Sequence, residues 1–386
     1  MKKRLIKLSV ASAALLAAFI LQPRLLLAQG SLTPPGAPAP TMKSLNQIEA
    51  RTPVDATNTP GSPCCDQFAI THPGSYYLTG NINSSGLSAA IFVLTNDVTL
   101  DLNGFTMNGI GYSGCVGISV APGYQNVVIR NGTLLNWYVG VQDQNASCSL
   151  ENVGVYESSN NGFLLGNNCH LKNCDAVSNS NTGISVGNFC TVTDCRASGN
   201  LYDGIAGGSD CVISGCQANN NNNLAFPSTA GIFLEDRFTV SKCTANSNFI
   251  SGFFLGSHGQ IIQCVADTNA NGIWVQTGCT VKDCVANGNY IGIEASGNDN
   301  VLEDNHASFN GDDGILTGNA STEDSIEHNH TTGNGNYGIY SYVPGANVVV
   351  RNTSNNNAVG NYYPTNGNTF APVQLPAAAT SPWANF

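Results

Sequence analysis

The 386 residues carry only 10% Asp, Glu, Lys and Arg, yet include 42 Gly and 14 Cys. The formal charge of −11 argues against nucleic acid or an anionic membrane as partner, since both repel a polyanion. Gly-rich, weakly charged chains often lack structure, but here the apolar residues recur on a fixed period, and that requires a folded repeat.

Residues 1–28 read as an export signal. Lys2, Lys3, Arg4 and Lys7 precede an apolar run from Leu8 to Leu21, and a second run from Leu25 to Leu27 ends at Ala28. The break at Gln22–Arg24 leaves neither run near the ~20 apolar residues of a spanning helix, so cleavage is expected over an uncleaved anchor. Cleavage leaves nine Lys+Arg against 25 Asp+Glu, a balance of −16. The mature protein is expected in the periplasm, at the cell surface or secreted, as a monomer with no membrane span. Residues 29–63 hold seven Pro and read as a linker.

Residues 64–360 repeat. A Gly followed by Ile or Phe heads each unit at Gly162, Gly183, Gly204, Gly231, Gly252, Gly272, Gly292, Gly314 and Gly338, in steps of 21, 21, 27, 21, 20, 20, 22 and 24 residues. Weaker heads lie at Gly117 and Gly140, and Gly360 opens a partial unit. The long step coincides with an Asn-rich insertion near Asn219–Thr229. Within the Gly183 unit, Ile184 and Val186, Cys190 and Val192, and Cys195 and Ala197 alternate with Ser, Thr and Arg. This is three short strands of period two separated by turn residues. Such a unit buries nothing alone; stacking successive units in register does. The fold class predicted is all-β, a single-stranded right-handed parallel β-helix of about 11–12 coils of roughly 21 residues. Residues 361–386 form a tail that can cap the last coil, with Phe370, Trp383 and Phe386 as anchors.

Stacking turns equivalent positions into ladders. Cys174, Cys195, Cys216, Cys243, Cys264 and Cys284 make one, continued by Asn305, Asn329 and Asn352. Cys148, Cys169, Cys190 and Cys211 make a second, with Cys279 farther on, and Asn179, Asn200, Asn248, Asn269, Asn289, Asn310 and Asn334 a third. Neighbouring rungs about 4.8 Å apart suit a disulfide by distance but not by side-chain direction. Free core thiols and inter-coil disulfides both remain open.

With its stacked Gly and Asn turns, the pattern over roughly residues 66–360 resembles the pectate-lyase-like superfamily of right-handed parallel β-helices. The openings ITHPGSYYLTGNI and VTLDLNGFTMNG resemble the first coils of uncharacterised secreted bacterial members. The resemblance implies the fold; the superfamily is functionally broad.

The outward residue of each first strand runs Leu164, Ser185, Ala206, Phe233, Phe254, Trp274, Glu294, Leu316 and Tyr340. Phe233, Phe254 and Trp274 on consecutive coils form an aromatic stripe that, with Glu294, is the expected substrate-binding platform for sugar rings; a covering segment would be the plainer explanation. At the following corner, Asp210, Arg237 and His258 fall on consecutive coils beside Glu235 and Asp236. Carboxylates, an Arg and a His at the edge of such a platform are the expected catalytic set for glycosidic hydrolysis or elimination. Glu235–Asp236 followed one coil later by Ser257–His258–Gly259 loosely resembles the polygalacturonase pattern, although Glu and Ser replace Asp and Gly. Solvated turn charges with an Asp–Arg pair are the competing explanation.

Asp203, Asp312 and Asp313 precede head glycines and fit turn chemistry. Asp299, Glu303, Asp304, Glu323, Asp324 and Glu327 gather near the last coils, where Ca²⁺ would be the favoured cation, unless they form a solvated acidic surface. His306 and His330 take equivalent outward positions, with His328 nearby, but no metal site is assigned. The expected function is a carbohydrate-active β-helix that binds, and in the catalytic version cleaves, a polysaccharide. The alternative is a non-catalytic envelope or adhesive β-helix.

Overall fold

A computed structural model describes residues 50–386 apart from 63, 144–146, 222–228, 319–320, 343–344 and 364. The export signal, most of the linker and the insertion after Asn221 lie outside the described residues. The compact unit is Arg51–Phe386.

Each coil is built as the Gly183 unit illustrates. A head strand, Ile184–Val186, is followed by a second, Thr191–Thr193, and a third, Arg196–Ser198. All three pair in parallel and in register with the coil above, Ile184 with Ile205, Val192 with Ile213 and Ala197 with Ala218. β-Branched residues suit these pleated positions, and their inward members form one continuous core along the axis. The head strands make a fourteen-stranded sheet from Asp66–Ile70 to Gly360–Tyr363. The chain is thus a parallel β-helix of about fourteen turns. The two earliest, through Asp66–Ile70 and Ala89–Val93, lack a Gly head, and on the last coil Gly360 pairs with Tyr337, one residue before the head register of Gly338. Pairing starts earlier still, because Thr52–Pro53 adds to Tyr76–Tyr77 and Val54 is buried.

The head glycine is required by close approach. A Cβ at Gly183 would lie 2.8 Å from the Gly204 carbonyl oxygen and 2.4 Å from Asn200 Nδ2, well inside van der Waals contact. The corner between second and third strands turns on one left-handed residue, such as Asn173 or Asp194 (φ 52° and 53°), a conformation Asn and Asp tolerate better than most.

The inward ladders are hydrogen-bonded rung to rung. Along the first, the backbone N–H groups of Cys174, Cys195, Cys216 and Cys243 each point at the sulfur of the next rung at 3.4 Å. Asn side chains take over at Asn305 and continue through Asn329 and Asn352 to Asn385. The second ladder is interrupted where the Phe238 ring fills the space a Cβ at Gly259 would need, 2.5 Å away. Beyond Cys279 it resumes as Asn300, Asp324, Asn347 and Asn368. The third is continuous from Asn179 to Asn357 and includes Asn221. Each Asn satisfies amides that the tight turn would otherwise bury unpaired. All fourteen cysteines are free thiols, twelve of them buried and Cys64 and Cys65 exposed.

The tail closes the last turn. Thr369–Phe370 pairs with Val348–Val349, Asn385 accepts the Asn352 N–H at 2.9 Å, and the Arg351 guanidinium lies 4.0 Å from the Trp383 ring centre. These contacts are at the C-terminal end, away from the head strands that carry Phe233, Phe254 and Trp274.

Candidate functional site

The outward positions of the head sheet align as one unbroken row. Gln142, Leu164, Ser185, Ala206, Phe233, Phe254, Trp274, Glu294, Leu316, Tyr340 and Tyr363 pair successively across eleven coils. Phe233 and Phe254 have ring centres 5.5 Å apart, and Phe254 and Trp274 4.6 Å. All three are half-buried, so their packing on one another leaves ring surface facing outward. The smaller Ser185 and Ala206 leave a groove of about 290 Å³ beside Phe233, with Glu235 at its edge.

Trp274 leads into a polar network. Its indole N–H donates to Ser296 Oγ at 2.6 Å, Ser296 donates to Glu294 Oε1 at 3.0 Å, and Asn271 Nδ2 donates to Glu294 Oε2 at 2.9 Å. Burial still raises the Glu294 carboxyl above its ordinary range, because desolvation disfavours the charged form. Past Glu294 lies a cleft of about 570 Å³ lined by Glu294, Ser296, Asp312, Leu316, Tyr340 and Tyr342. Tyr340 is held edge-on by Tyr342 and Tyr363 at 5.6 and 4.7 Å.

The corner beside the stripe holds the predicted catalytic group. Asp210, Arg237 and His258 do fall on consecutive coils, each in the left-handed conformation (φ 61°, 54° and 61°), their amides bonded to the next coil. Arg237 Nε and Nη2 each bond Asp210 at 2.8 Å, and this pairing lowers the Asp210 pKa. Asp236 Oδ1 accepts the Ser257 N–H at 2.9 Å. Glu235 is exposed, with Oε2 3.4 Å from Ser209 Oγ. His258 is exposed, its ring over Gly278, where a Cβ would come within 3.0 Å. Asp210 and Arg237 are therefore committed to each other, and Asp236 holds its corner through Oδ1.

Several of the remaining acidic residues serve the backbone or pair with cations. Asp203 and Asp313 accept the N–H of Ala230 and Tyr337 on the next coil, and burial pushes both carboxyls up to about 6. Lys282 bridges Glu303 and Asp304, and Arg351 lies 3.9 Å from Glu327. Asp324 is a buried ladder rung. His306 and His330 stack at 4.8 Å. Among the described residues no group of three or more His, Cys, Asp or Glu is placed to hold a metal ion. No helix among them is long and apolar enough to cross a membrane.

Sequence reasoning placed the stripe and Glu294 but missed the cleft beyond them. Ser296, two residues after Glu294 and hence on the same face, was open to it; Asn271, Asp312 and Tyr342 come from strand ends and turns, where alternation gives no signal.

Stacked parallel coils with an aromatic row on one sheet define a β-helix protein with a long linear outward face. A family model for the right handed beta helix region matches residues 116–265, and one for the periplasmic copper-binding protein (NosD) matches residues 240–371; the chain is a right-handed parallel β-helix protein. Among solved structures it is similar to the A-module of the Azotobacter vinelandii mannuronan C-5 epimerase AlgE6, with a TM-score of 0.50 and 18% identity over 78% of this chain and 92% of that one. The AlgE4 A-module of the same organism gives 0.42 and 14% over 78% and 91%, and pectate lyase Pel9A gives 0.31 and 18% over 81% and 73%. No curated protein matches by sequence.

Proposed function

We propose that this protein is an exported carbohydrate-binding β-helix that holds a polysaccharide along its head sheet. The observation that carries the reading is the row of Phe233, Phe254 and Trp274, packed with ring centres 5.5 and 4.6 Å apart on an outward sheet face. The C–H faces of sugar rings pack on such a platform, while Glu294 and Asn271 beside it offer hydrogen bonds to hydroxyl groups. The A-module of the mannuronan C-5 epimerase AlgE6 presents the same fold.

The corner favours recognition over bond cleavage. A general acid or base must be free to exchange a proton with the substrate, and Asp210 and Arg237 are tied to each other. Cleavage would fall to Glu235, Asp236 and His258. Retardation in native gels containing polysaccharides tests the proposal: the protein should be slowed by at least one glycan, and Phe254→Ala and Trp274→Ala should be slowed far less by it. Equal retardation of both variants would remove the platform. New reducing ends or unsaturated products that vanish in Asp236→Asn and His258→Ala would turn the reading to cleavage.

A further inference from the structure

The aromatic row does not stop at Trp274. After Glu294 and Leu316 it resumes with Tyr340 and Tyr363 on the same outward register. Trp274 and Tyr340 are three coils apart, about 14 Å along the axis, with the Glu294–Tyr342 cleft between them. The Tyr340 ring is fixed by edge-on contacts to Tyr342 and Tyr363, so it loses little freedom when a ligand packs on it.

Charge narrows what this track accepts. The cleft presents Glu294 and Asp312, with buried Asp313 behind them. Seven of the eight described Lys and Arg residues lie off the head sheet. Lys172, Arg196 and Lys282 sit on second or third strands; Arg130 lies in the Gln125–Leu135 strand; Arg51, Lys242 and Arg351 flank such strands. The eighth, Arg237, borders the track at its corner and is held by Asp210 through two bonds. A polyuronate laid here would set carboxylates against carboxylates with no free guanidinium or ammonium among the described residues of that sheet to answer them. Hydroxyl groups meet the opposite situation, since Glu294 keeps acceptor capacity beyond its bonds to Ser296 and Asn271.

Resting on the glycan-binding reading above, we infer that the cleft between Glu294 and Tyr342 is a second sugar subsite, continuous with the Phe233–Trp274 platform, and that the track takes an uncharged polysaccharide. The test is native gel retardation of the full chain, in chelator and at low and high salt. The probes are the uncharged hydroxyethylcellulose, xylan and galactomannan against the polyanionic alginate and polygalacturonate. We expect retardation by an uncharged glycan, weakened about tenfold in Tyr340→Ala as in Trp274→Ala, and none by either polyanion at any salt. Each variant's urea midpoint should match the parent's, so that lost binding is not lost folding. Polyanion binding that disappears in Trp274→Ala would overturn the uncharged class and leave the platform standing. Uncharged binding that needs Trp274 but ignores Tyr340 would overturn the second subsite. No retardation by any of the five would sink the glycan reading itself, and this inference with it.

Discussion

Asp324 accepts the backbone N–H of Asn300 at 2.8 Å through Oδ1, while its Oδ2 is buried with no hydrogen-bond partner. It is a carboxylate in a ladder otherwise continued by amides, between Asn300 and Asn347. An Asn there would present a donor where Asp324 has a bare oxygen. Burial accordingly pushes its carboxyl up to about 7.

Stability should therefore depend on pH in a defined direction. The fold favours protonated Asp324, so its contribution is fully present below the unfolded carboxyl range near pH 4 and is lost as pH rises through about 7. At 1.36 kcal/mol per pKa unit, the charged form costs up to about 4 kcal/mol. Asp324→Asn should raise urea-unfolding stability by about 2–4 kcal/mol at pH 8 and change it little at pH 4. Equal effects at both pH values would mean that the second oxygen is solvated.

The continuous Asn ladder should be far less forgiving. Asn200 Oδ1 accepts from both the N–H and the Nδ2 of Asn179, and its own Nδ2 donates to Ala176 O and Asn221 Oδ1. Asn200→Ala strands buried groups on two neighbouring coils, and each costs ~1–3 kcal/mol when left unmade. A loss of about 2–4 kcal/mol is expected in urea denaturation; a change no larger than that of an exposed Asn would show that water enters the turn.

Thiol reactivity should divide the cysteines cleanly. Cys64 and Cys65 are exposed and the other twelve are buried, where a thiol reagent in solvent does not reach the sulfur. Native protein prepared without oxidant should yield two fast equivalents with a thiol-specific chromogen, and fourteen after unfolding. Fewer than fourteen would reveal disulfides within the ladders.

Arg237→Ala should leave glycan retention intact, because its guanidinium is engaged with Asp210 and both side chains are partly exposed. Exposed pairs of this kind contribute little to folding, so the thermal midpoint should also stay put. Loss of retention with an unchanged midpoint would bring Arg237 into the binding site.

The repeat was legible because its period is written in the chain. Once Gly231, Gly252 and Gly272 are recognised as equivalent, the alignment of Phe233, Phe254 and Trp274 follows, and the structure pairs them so. What escaped depends on side-chain direction. Whether Arg237 turns to Asp210 or to open solvent is a matter of rotamers and neighbours, so ion pair and catalytic group look alike in sequence. The second inward ladder was lost midway for another reason. Phe238 and Gly259 exchange volume between coils, and this hides the Cys pattern before it re-emerges as Asn300 and Asp324. The cysteine oxidation state was open because rung spacing alone permits both forms.

The meeting of each head glycine with the carbonyl of the next has a consequence for molecular length. Gly162 packs against Gly183 as Gly183 packs against Gly204. Excising residues 183–203 would seat Gly204 over Gly162 with the same fit. Such a molecule can grow or shrink only by whole turns, so its reach is a quantised dimension that recombination can reset without redesigning the interior.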